Sequence, residues 1–416
     1  MTRQIFEGIK VADFAWVGVG PQVGRELAQH GAAVVRVESH KRPDTLRTAS
    51  PFRYNKPGID RSAFGACYNT NKYGMSLDLS KDKGKEVAKR LIQWADIVTD
   101  GFTPGTMDAW GLGYEQACAI KPDIIYFSTC QMGKKGPLNT FGGYGEFGAA
   151  YSGFCNILGW PDRMPLPVVN AHTDFISPWY LVMTVIGALL HRRKTGEGMY
   201  LDQSQIEAGV TFLGPQMLDY FANNRIASRM GNHDPHWVPH SVYPCLGEDR
   251  WIAIAVTNDE EWRRLCSVMG SPELMENDKF STLYSRKQHE DELDEMIGQW
   301  SETFTPHQLM AMLQDAGVPA GAVQTAEDLL NDPQLKERRH FRYLHHQVIG
   351  THAYNAPAYH LSKTPNDIKK AGPCLGEDNE YVYSKILGYT DEEIEDMLID
   401  GVITTDADVP DVLKGA

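Results

Sequence analysis

Hydrophobic and polar positions give this chain two textures. Up to about residue 130, short apolar runs alternate with stretches of helical period. Lys10–Phe14, Ala33–Glu38, Ile97–Thr99 and Ile124–Ser128 predict strands, with helices over Gly24–His30 and Lys83–Ala95. Such alternation implies an α/β fold, a mostly parallel sheet with helices on its faces. Gly-rich text at 133–153 (GKKGPLNTFGGYGEFGAAYSG) and Pro-rich text at 160–169 (WPDRMPLPVV) predict loops, and loops this long are functional or disordered. Pro178 is placed to open a long apolar helix that runs to Arg192, since proline costs little in a first helical turn. After TGEG, Met199–Asp202 predicts a strand and Ser204 the cap of a helix from Gln205.

The texture changes after NHDPHWVPH at 232–240. SVYPCL and WIAIAV, joined by GEDR, predict a hairpin, and charged amphipathic helices follow through Asp315, so a second domain is expected over 235–325. Beyond 330 the chain is rich in charge and loops, with a surface helix in ILGYTDEEIEDMLIDGVI.

Composition narrows the function. A chain of 416 residues with 42% hydrophobic content buries a large core. Its net charge of −14 argues against a nucleic-acid partner but not against a small anionic ligand, which needs only a few cations or helix N-termini. The seven cysteines (Cys67, Cys118, Cys130, Cys155, Cys245, Cys266, Cys374) are scattered without a C-x-x-C pair, as in a reducing cytoplasm. MTRQIFEGIK carries no apolar signal core, and the run Trp179–Leu190 is short for a membrane span, so a cytoplasmic protein is expected.

The stretch WVGVGPQVGRELAQHGAAVVRVES, Trp16 to Ser39, has the layout of a dinucleotide-binding turn, but its register is wrong. Counting from Gly18, the sixth place is Val23 and the next glycine, Gly24, comes one residue late, while Pro21 removes an N–H donor. In NHDPHWVPH, His233, Asp234, His236 and His240 suggest a metal, but two prolines break the helix that would align them, and hydrogen-bonding histidines are the simpler reading. His345 and His346 are expected at the surface. No G-x-S-x-G elbow or P-loop is present, and the acidic runs at 289–295 and 391–396 read as solvated helix faces. Asp174, in VVNAHTDFISPW, stands four residues before Pro178, near the positive end of the expected helix; on that ground alone it is a cap or a catalyst.

Four segments carry a resemblance over nearly the whole chain: GIKVADFAWVGVGPQVGRELAQHGAAVVRVES, NTNKYGMSLDLSKDKGKEVAKRL, ADIVTDGFTPGTMDAWGLGYEQACAIKPDIIYFSTCQMGKKGP and HTDFISPWYLVMTVIGALLHRRKTGEGMYLDQSQIEA. Together they resemble the family III CoA-transferases, also called the CaiB/BaiF or formyl-CoA transferase-like family. The resemblance implies a Rossmann-like large domain built from both termini (1–225 and 330–416), a smaller α+β domain (235–325) and an interlocked dimer. It implies that Asp174 is the catalytic nucleophile, forming covalent aspartyl intermediates as CoA passes from a donor such as succinyl-CoA to a carboxylic acid. It places coenzyme A against Trp16, Val17, Gly18, Val19, Leu77, Lys81, Gly101 and Phe102, with no permanently bound cofactor and no metal.

The chain departs from the family pattern where many members read ENFRPG. Here DGFTPG puts Gly101 for Asn and Thr103 for Arg, and Ser39 and Ala109 occupy places that are basic in some members. Lys41, Arg42, Lys72 and Lys81 are the substitutes available for the CoA phosphates. The α-methylacyl-CoA racemases share the resemblance, but Tyr144 stands at the place of their acid/base His. Within the family the resemblance points to the branch acting on substituted dicarboxylates such as benzylsuccinate, with Tyr144, Tyr151, Phe175, Trp179 and Trp237 as aromatic candidates for the acceptor site; a subunit active only in a hetero-oligomer with a homologous partner is a further alternative.

Overall fold

The computed structural model describes residues 3–168 and 170–413. The chain forms two compact units, one from the described residues of Met1–Cys155, Pro167–Ile226 and Lys336–Ala416, the other from Asn156–Leu166 and Ala227–Leu335.

The first unit holds a parallel 6-stranded sheet: β1 (Lys10–Asp13), β2 (Ala33–Glu38), β3 (Tyr73–Ser76), β4 (Ile97–Asp100), β5 (Ile125–Cys130) and β6 (Met199–Ser204). The strand order is β3-β2-β1-β4-β5-β6, with every neighbouring pair parallel. That is the order of a doubly wound nucleotide-binding sheet, in which the chain reverses direction between β1 and β4. Helices α1 (Val19–Gln29), α2 (Ala63–Tyr68), α3 (Asp82–Trp94), α4 (Thr106–Ala109) and α5 (Tyr114–Ile120) fall between β1 and β5. Between β5 and β6 come α6 (Gly145–Tyr151), α7 (Phe154–Ile157) and α8 (His172–Thr195), and after β6 come α9 (Gln205–Val210) and α10 (Gly214–Asn223).

Both faces of the central strands β1, β2, β4 and β5 are buried, which is why these strands read as apolar runs. Ala12, Val35, Val37, Val98 and Tyr126 pack with Val87 and Leu91 of α3 on one face; Val11, Val34, Ile97 and Phe127 pack with Val23 of α1 and Val185 of α8 on the other.

Two expectations are corrected. The Gly-rich stretch 133–153 is not all loop: its second half forms α6, whose glycines admit the start of α8 at close range. The long helix begins at His172, six residues before Pro178, so proline lies inside it and Asp174 in its first turn. At 24 residues it is also longer than the twelve-residue apolar run suggested, and it is the one described helix long and apolar enough to cross a membrane, with half of its apolar window buried.

In the second unit, β7 (His240–Pro244), β8 (Trp251–Ala255) and β9 (Ala320–Ala322) form an antiparallel sheet. Helices α11 (Asp259–Met269), α12 (Leu283–Gln288), α13 (Glu290–Ser301) and α14 (Pro306–Asp315) accompany it, and Trp262, Leu265, Ile297 and Leu309 form its core. Residues 156–166, expected in a loop of the large domain, belong here: Gly231 donates its N–H to the Gly159 carbonyl at 2.9 Å beneath the Trp160 ring. The last residue of the Pro-rich stretch, Val169, lies outside the described residues.

The chain then re-enters the first unit with a hairpin, β10 (Phe341–His346) and β11 (Gly350–Asn355). Residues beyond it seal the outer edge of β3: Gly74 N–H donates to Asp378 Oδ2 at 2.7 Å, Ser76 N–H donates to Asn379 Oδ1 at 2.8 Å, and the Tyr383 hydroxyl donates to the Ser76 carbonyl at 2.9 Å.

Candidate active site

Ligands of doubly wound sheets bind beyond the carboxyl ends of the strands where strand order reverses. At that point the loops after β1 and β4 meet. Trp16, Val17, Gly18, Val19 and Gly20 from the first, and Gly101, Phe102, Thr103 and Pro104 from the second, line a cavity of about 110 Å³. Its floor includes Thr129, Cys130 and Gln131 at the end of β5, and its far wall includes Tyr144 and Asp174.

The β1 loop is held by charge buried beneath it. Val17, a β-branched residue, adopts φ 61°, a left-handed conformation that such residues rarely take. Its N–H is held by Asp44 at 3.2 and 3.1 Å to the two carboxylate oxygens. Arg36, fully buried on β2, in turn donates to Asp44 and to the Ala15 carbonyl. Lys72 donates to Asp13, to the Pro21 carbonyl and to Asn69, each at 2.8 Å, and burial pushes its ammonium down to about 8. Glu38, at the place where a nicotinamide site would hold its ribose acid, is taken by Arg47 at 2.8 Å through both oxygens. Burial opposes its ionisation, yet Arg47 and Arg36 hold it down to about 2.

Trp16 stacks obliquely on Phe102 at 5.3 Å between ring centroids, and Phe102 meets Trp110 edge-on at 5.2 Å. The Arg42 guanidinium lies 5.8 Å from the Trp16 ring centroid.

Asp174 is 7% exposed. Burial, then the like charge of Glu146, raise its carboxyl to about 7, against the opposing pull of a hydrogen bond from the Gly145 backbone. It shares a wall with a second cavity of about 530 Å³, lined by Val17, Gly18, Leu46, Phe64, Tyr68 and Phe175 among others. Tyr68 packs edge-on against Phe64 at 4.6 Å and faces Phe175 at 6.4 Å, forming an aromatic wall. The glycines here are sites of close approach. A Cβ on Gly148 would come within 2.3 Å of Thr173 Oγ1, so the bare backbone of α6 meets the Thr173 side chain at the start of α8.

Of the residues singled out from sequence, Asp174, Trp16, Val17, Gly18, Val19, Gly101 and Phe102 are brought together. Leu77 and Lys81 are not. Leu77 is 1% exposed in the core against α3, and Lys81 donates to the Asp400 carbonyl. Among the other proposed phosphate ligands, Lys72 is fully buried and Lys41 is bonded to Asp78 at 2.8 Å; Arg42 remains. Tyr144 and Phe175 line the larger cavity, whereas Tyr151 and Trp179 do not and Trp237 belongs to the second unit. Sequence reasoning missed Phe64 and Tyr68, which sit on a short helix without a distinctive pattern.

The histidines of NHDPHWVPH have local partners: His233 faces Glu290 and Asp294 at 3.6 and 3.5 Å, and His240 Nδ1 contacts the Asn232 carbonyl at 3.1 Å. No group of three or more His, Cys, Asp or Glu side chains placed to hold a metal ion occurs among the described residues. His346, expected at the surface, is buried at 4% exposure, its Nδ1 accepting from the Val348 and Ile349 backbone at 3.1 and 3.3 Å.

A doubly wound sheet with its cavity at the reversal of strand order is the architecture of an α/β enzyme built for a nucleotide-bearing ligand. The chain belongs to CoA-transferase family III, whose family model matches residues 6–379, and its substrates are accordingly CoA thioesters and acids. It is 30% identical to the succinyl-CoA–D-citramalate CoA-transferase of Chloroflexus aurantiacus over 93% of this chain and 95% of that protein. It is 30% identical to the succinate–glutarate CoA-transferase of Agrobacterium fabrum over 91% and 95%, and 28% identical to the succinyl-CoA–L-malate CoA-transferase beta subunit of C. aurantiacus over 94% and 96%. Among solved structures, a CaiB/BaiF family protein from Brucella suis superposes with a TM-score of 0.85 at 28% identity, covering 92% of this chain and all 100% of that one.

Proposed function

We propose that this CoA-transferase works through Asp174 as a covalent nucleophile. The observation that carries the reading is the position of its buried carboxyl on the wall shared by the two cavities, one at the sheet's ligand-binding point. The ionised carboxylate attacks the carbonyl carbon of the donor thioester, CoA leaves as thiolate, and a mixed anhydride forms. The thiolate attacks the aspartyl carbonyl, releases the donor acid and leaves an aspartyl-CoA thioester. The acceptor carboxylate attacks that thioester, forming a second anhydride and freeing thiolate. Thiolate attack on the acceptor's acyl carbon then yields the new acyl-CoA and regenerates Asp174. A carboxylate needs no general base for this chemistry; it needs water kept out, which burial supplies.

Coenzyme A lies along Trp16–Val19 and Gly101–Phe102, with Arg42 over the Trp16 ring as a phosphate ligand. The donor is succinyl-CoA, as the names of the citramalate and malate enzymes support. The acceptor is a substituted dicarboxylate, and the Phe64–Tyr68–Phe175 wall suits an aromatic substituent such as that of benzylsuccinate.

A second chain completes the assembly, either an identical copy in an interlocked dimer or a homologous subunit. What supports this is the exposed face of α8, where Phe175, Trp179, Met183, Ile186 and Leu190 recur at helical spacing, together with α10, which buries none of its residues. Some relatives are themselves named as alpha and beta subunits. The free thiols suit a cytoplasmic location.

The test is intact mass after incubation with succinyl-CoA, with hydroxylamine trapping and peptide mapping. A hydroxamate on the Asp174 peptide is expected. Its absence with a panel of acyl-CoAs, together with solvent deuterium entering the carbon next to the thioester, would favour a racemase instead.

A further inference from the structure

In an α-helix each carbonyl accepts from the N–H four residues on. Within α8 the partner of the Asp174 carbonyl is therefore residue 178, which is proline and has no N–H. The helix thus withdraws a backbone donor from the residue that faces both cavities, at a place where an unmet carbonyl is costly because the surroundings are buried. A side chain from another helix supplies what is missing. Gln22, on α1 and 6% exposed, donates from Nε2 to the Asp174 carbonyl at 2.9 Å and to the Gly18 carbonyl at 3.2 Å. Both acceptors are carbonyls, so only the amide nitrogen, not the amide oxygen, can face them.

We propose that Gln22 is a positioning residue for Asp174, its side-chain amide replacing the N–H that Pro178 removes and tying the backbone of Asp174 to the Gly18 turn. The two hydrogens of one amide group join the turn that lines both cavities to the residue between them. Because the acceptor is the backbone carbonyl rather than the carboxylate, Gln22 takes no part in the chemistry itself. It fixes where the carboxylate stands relative to the turn. Proline at 178 and glutamine at 22 are in this view one device: either alone leaves a carbonyl or a donor without its counterpart.

The proposal rests on Asp174 being the reacting group, and the decisive comparison uses four full-length proteins: wild type, Gln22→Met, Pro178→Ala and the double variant. Methionine keeps the length and unbranched shape of glutamine and removes its donors; alanine at 178 restores an N–H to the helix. In each, the rate of acyl-CoA-dependent hydroxamate formation at Asp174, the KM for acyl-CoA, and the rate of Asp174 labelling by a water-soluble carbodiimide are measured. Gln22→Met is expected to slow hydroxamate formation by about tenfold with KM within about twofold of wild type, since positioning governs the reacting geometry more than binding. The same substitution in the Pro178→Ala background is expected to change the rate by less than about threefold, because the backbone then supplies its own donor.

An equal loss in both backgrounds, or no loss in either, overturns the proposal. Should Gln22→Met fail to fold, the double variant is expected to fold, and a double variant that also fails overturns it as well. Carbodiimide labelling separates this idea from the nucleophile reading. A wild type that forms no hydroxamate defeats that reading, while the labelling rate still has to show the same non-additive pattern for Gln22 to keep its role.

Discussion

Gly18 and Asp174 touch so closely that a side chain at position 18 has no place: a Cβ there would stand 2.7 Å from Asp174 Cγ and 2.8 Å from Oδ2. The glycine of the β1 loop is thus explained by the residue it faces.

Gly18→Ala is therefore expected to push the carboxylate aside by an ångström or so and to lower the rate of Asp174 acylation by about 10²-fold, the scale of such misplacements. Single-turnover kinetics with acyl-CoA reads this. Thermal stability is expected to change little if the carboxylate swings into the larger cavity, and a Gly18→Ala enzyme of normal rate would contradict the contact.

Asp174 must be ionised to attack, and burial with Glu146 raises its carboxyl to about 7. The acylation rate is expected to climb with pH through 7 and level off above it. Glu146→Gln removes the like charge and is expected to move that midpoint downward. A rate already flat from pH 5 would sink the assignment.

The same shift has a consequence for folding. The folded protein holds the Asp174 proton more tightly than the unfolded chain, whose carboxyl has the ordinary value of 3.8, so this stabilisation is complete below about 4 and is lost as pH rises through 7. Asp174→Asn, neutral throughout, is expected to be more stable than wild type at pH 8, by an amount on the order of a few kcal/mol at 1.36 kcal/mol per unit, with the gap closing at pH 4. Urea unfolding at both pH values measures it; a constant gap would refute it.

Three cations near the β1 loop are expected to behave differently. Arg42→Ala should raise the KM for acyl-CoA about tenfold, an effect that salt diminishes. Lys41→Ala, which releases only a contact with Asp78, should leave KM near normal. Lys72→Met should take from the fully buried Asp13 its nearest cation, leaving it Arg36 at 3.6 Å and the Thr99 hydroxyl at 2.6 Å, and cost about 1–3 kcal/mol of stability. Steady-state kinetics and denaturant titration separate these outcomes.

The apolar stripe on α8 makes a prediction about assembly. Sedimentation of the purified chain, alone or with a homologous subunit, is expected to give twice the mass of one chain, and Met183→Glu, at a residue 60% exposed, to shift the equilibrium toward single chains. A monomer active at nanomolar concentration would argue against a partner.

Most of the sheet was legible because strands buried on both faces announce themselves as apolar runs. β2 matches Ala33–Glu38 residue for residue, and the other strands that were read differ only at their ends. β3 carries no strand signal of its own in the sequence, since YGMS is short and holds a glycine, and its pairing with β2 is set by the fold. The start of α8 differs from the sequence expectation because proline is commonest in a first turn, whereas here it lies inside the helix and Gln22 donates to the carbonyl it leaves without a backbone partner. Asp174 was visible, but the features that hold it were not. Gln22 reads as an ordinary polar helix residue, Asp44 lies in an irregular segment, and Leu77 and Lys81 occupy family positions that the structure turns away from the cavity.

Seen through synthesis of the chain, the seal on β3 has a further meaning. On the side away from β2, Gly74 and Ser76 find partners in Asp378, Asn379 and Tyr383, roughly three hundred residues later. A nascent chain that has delivered all six strands still presents an open sheet edge, and edges of that kind recruit strands from other molecules. The large unit is thus completed only once residues 378–383 have emerged, well after the second unit, so a chain cut after the second unit is expected to aggregate, not to persist as a smaller enzyme.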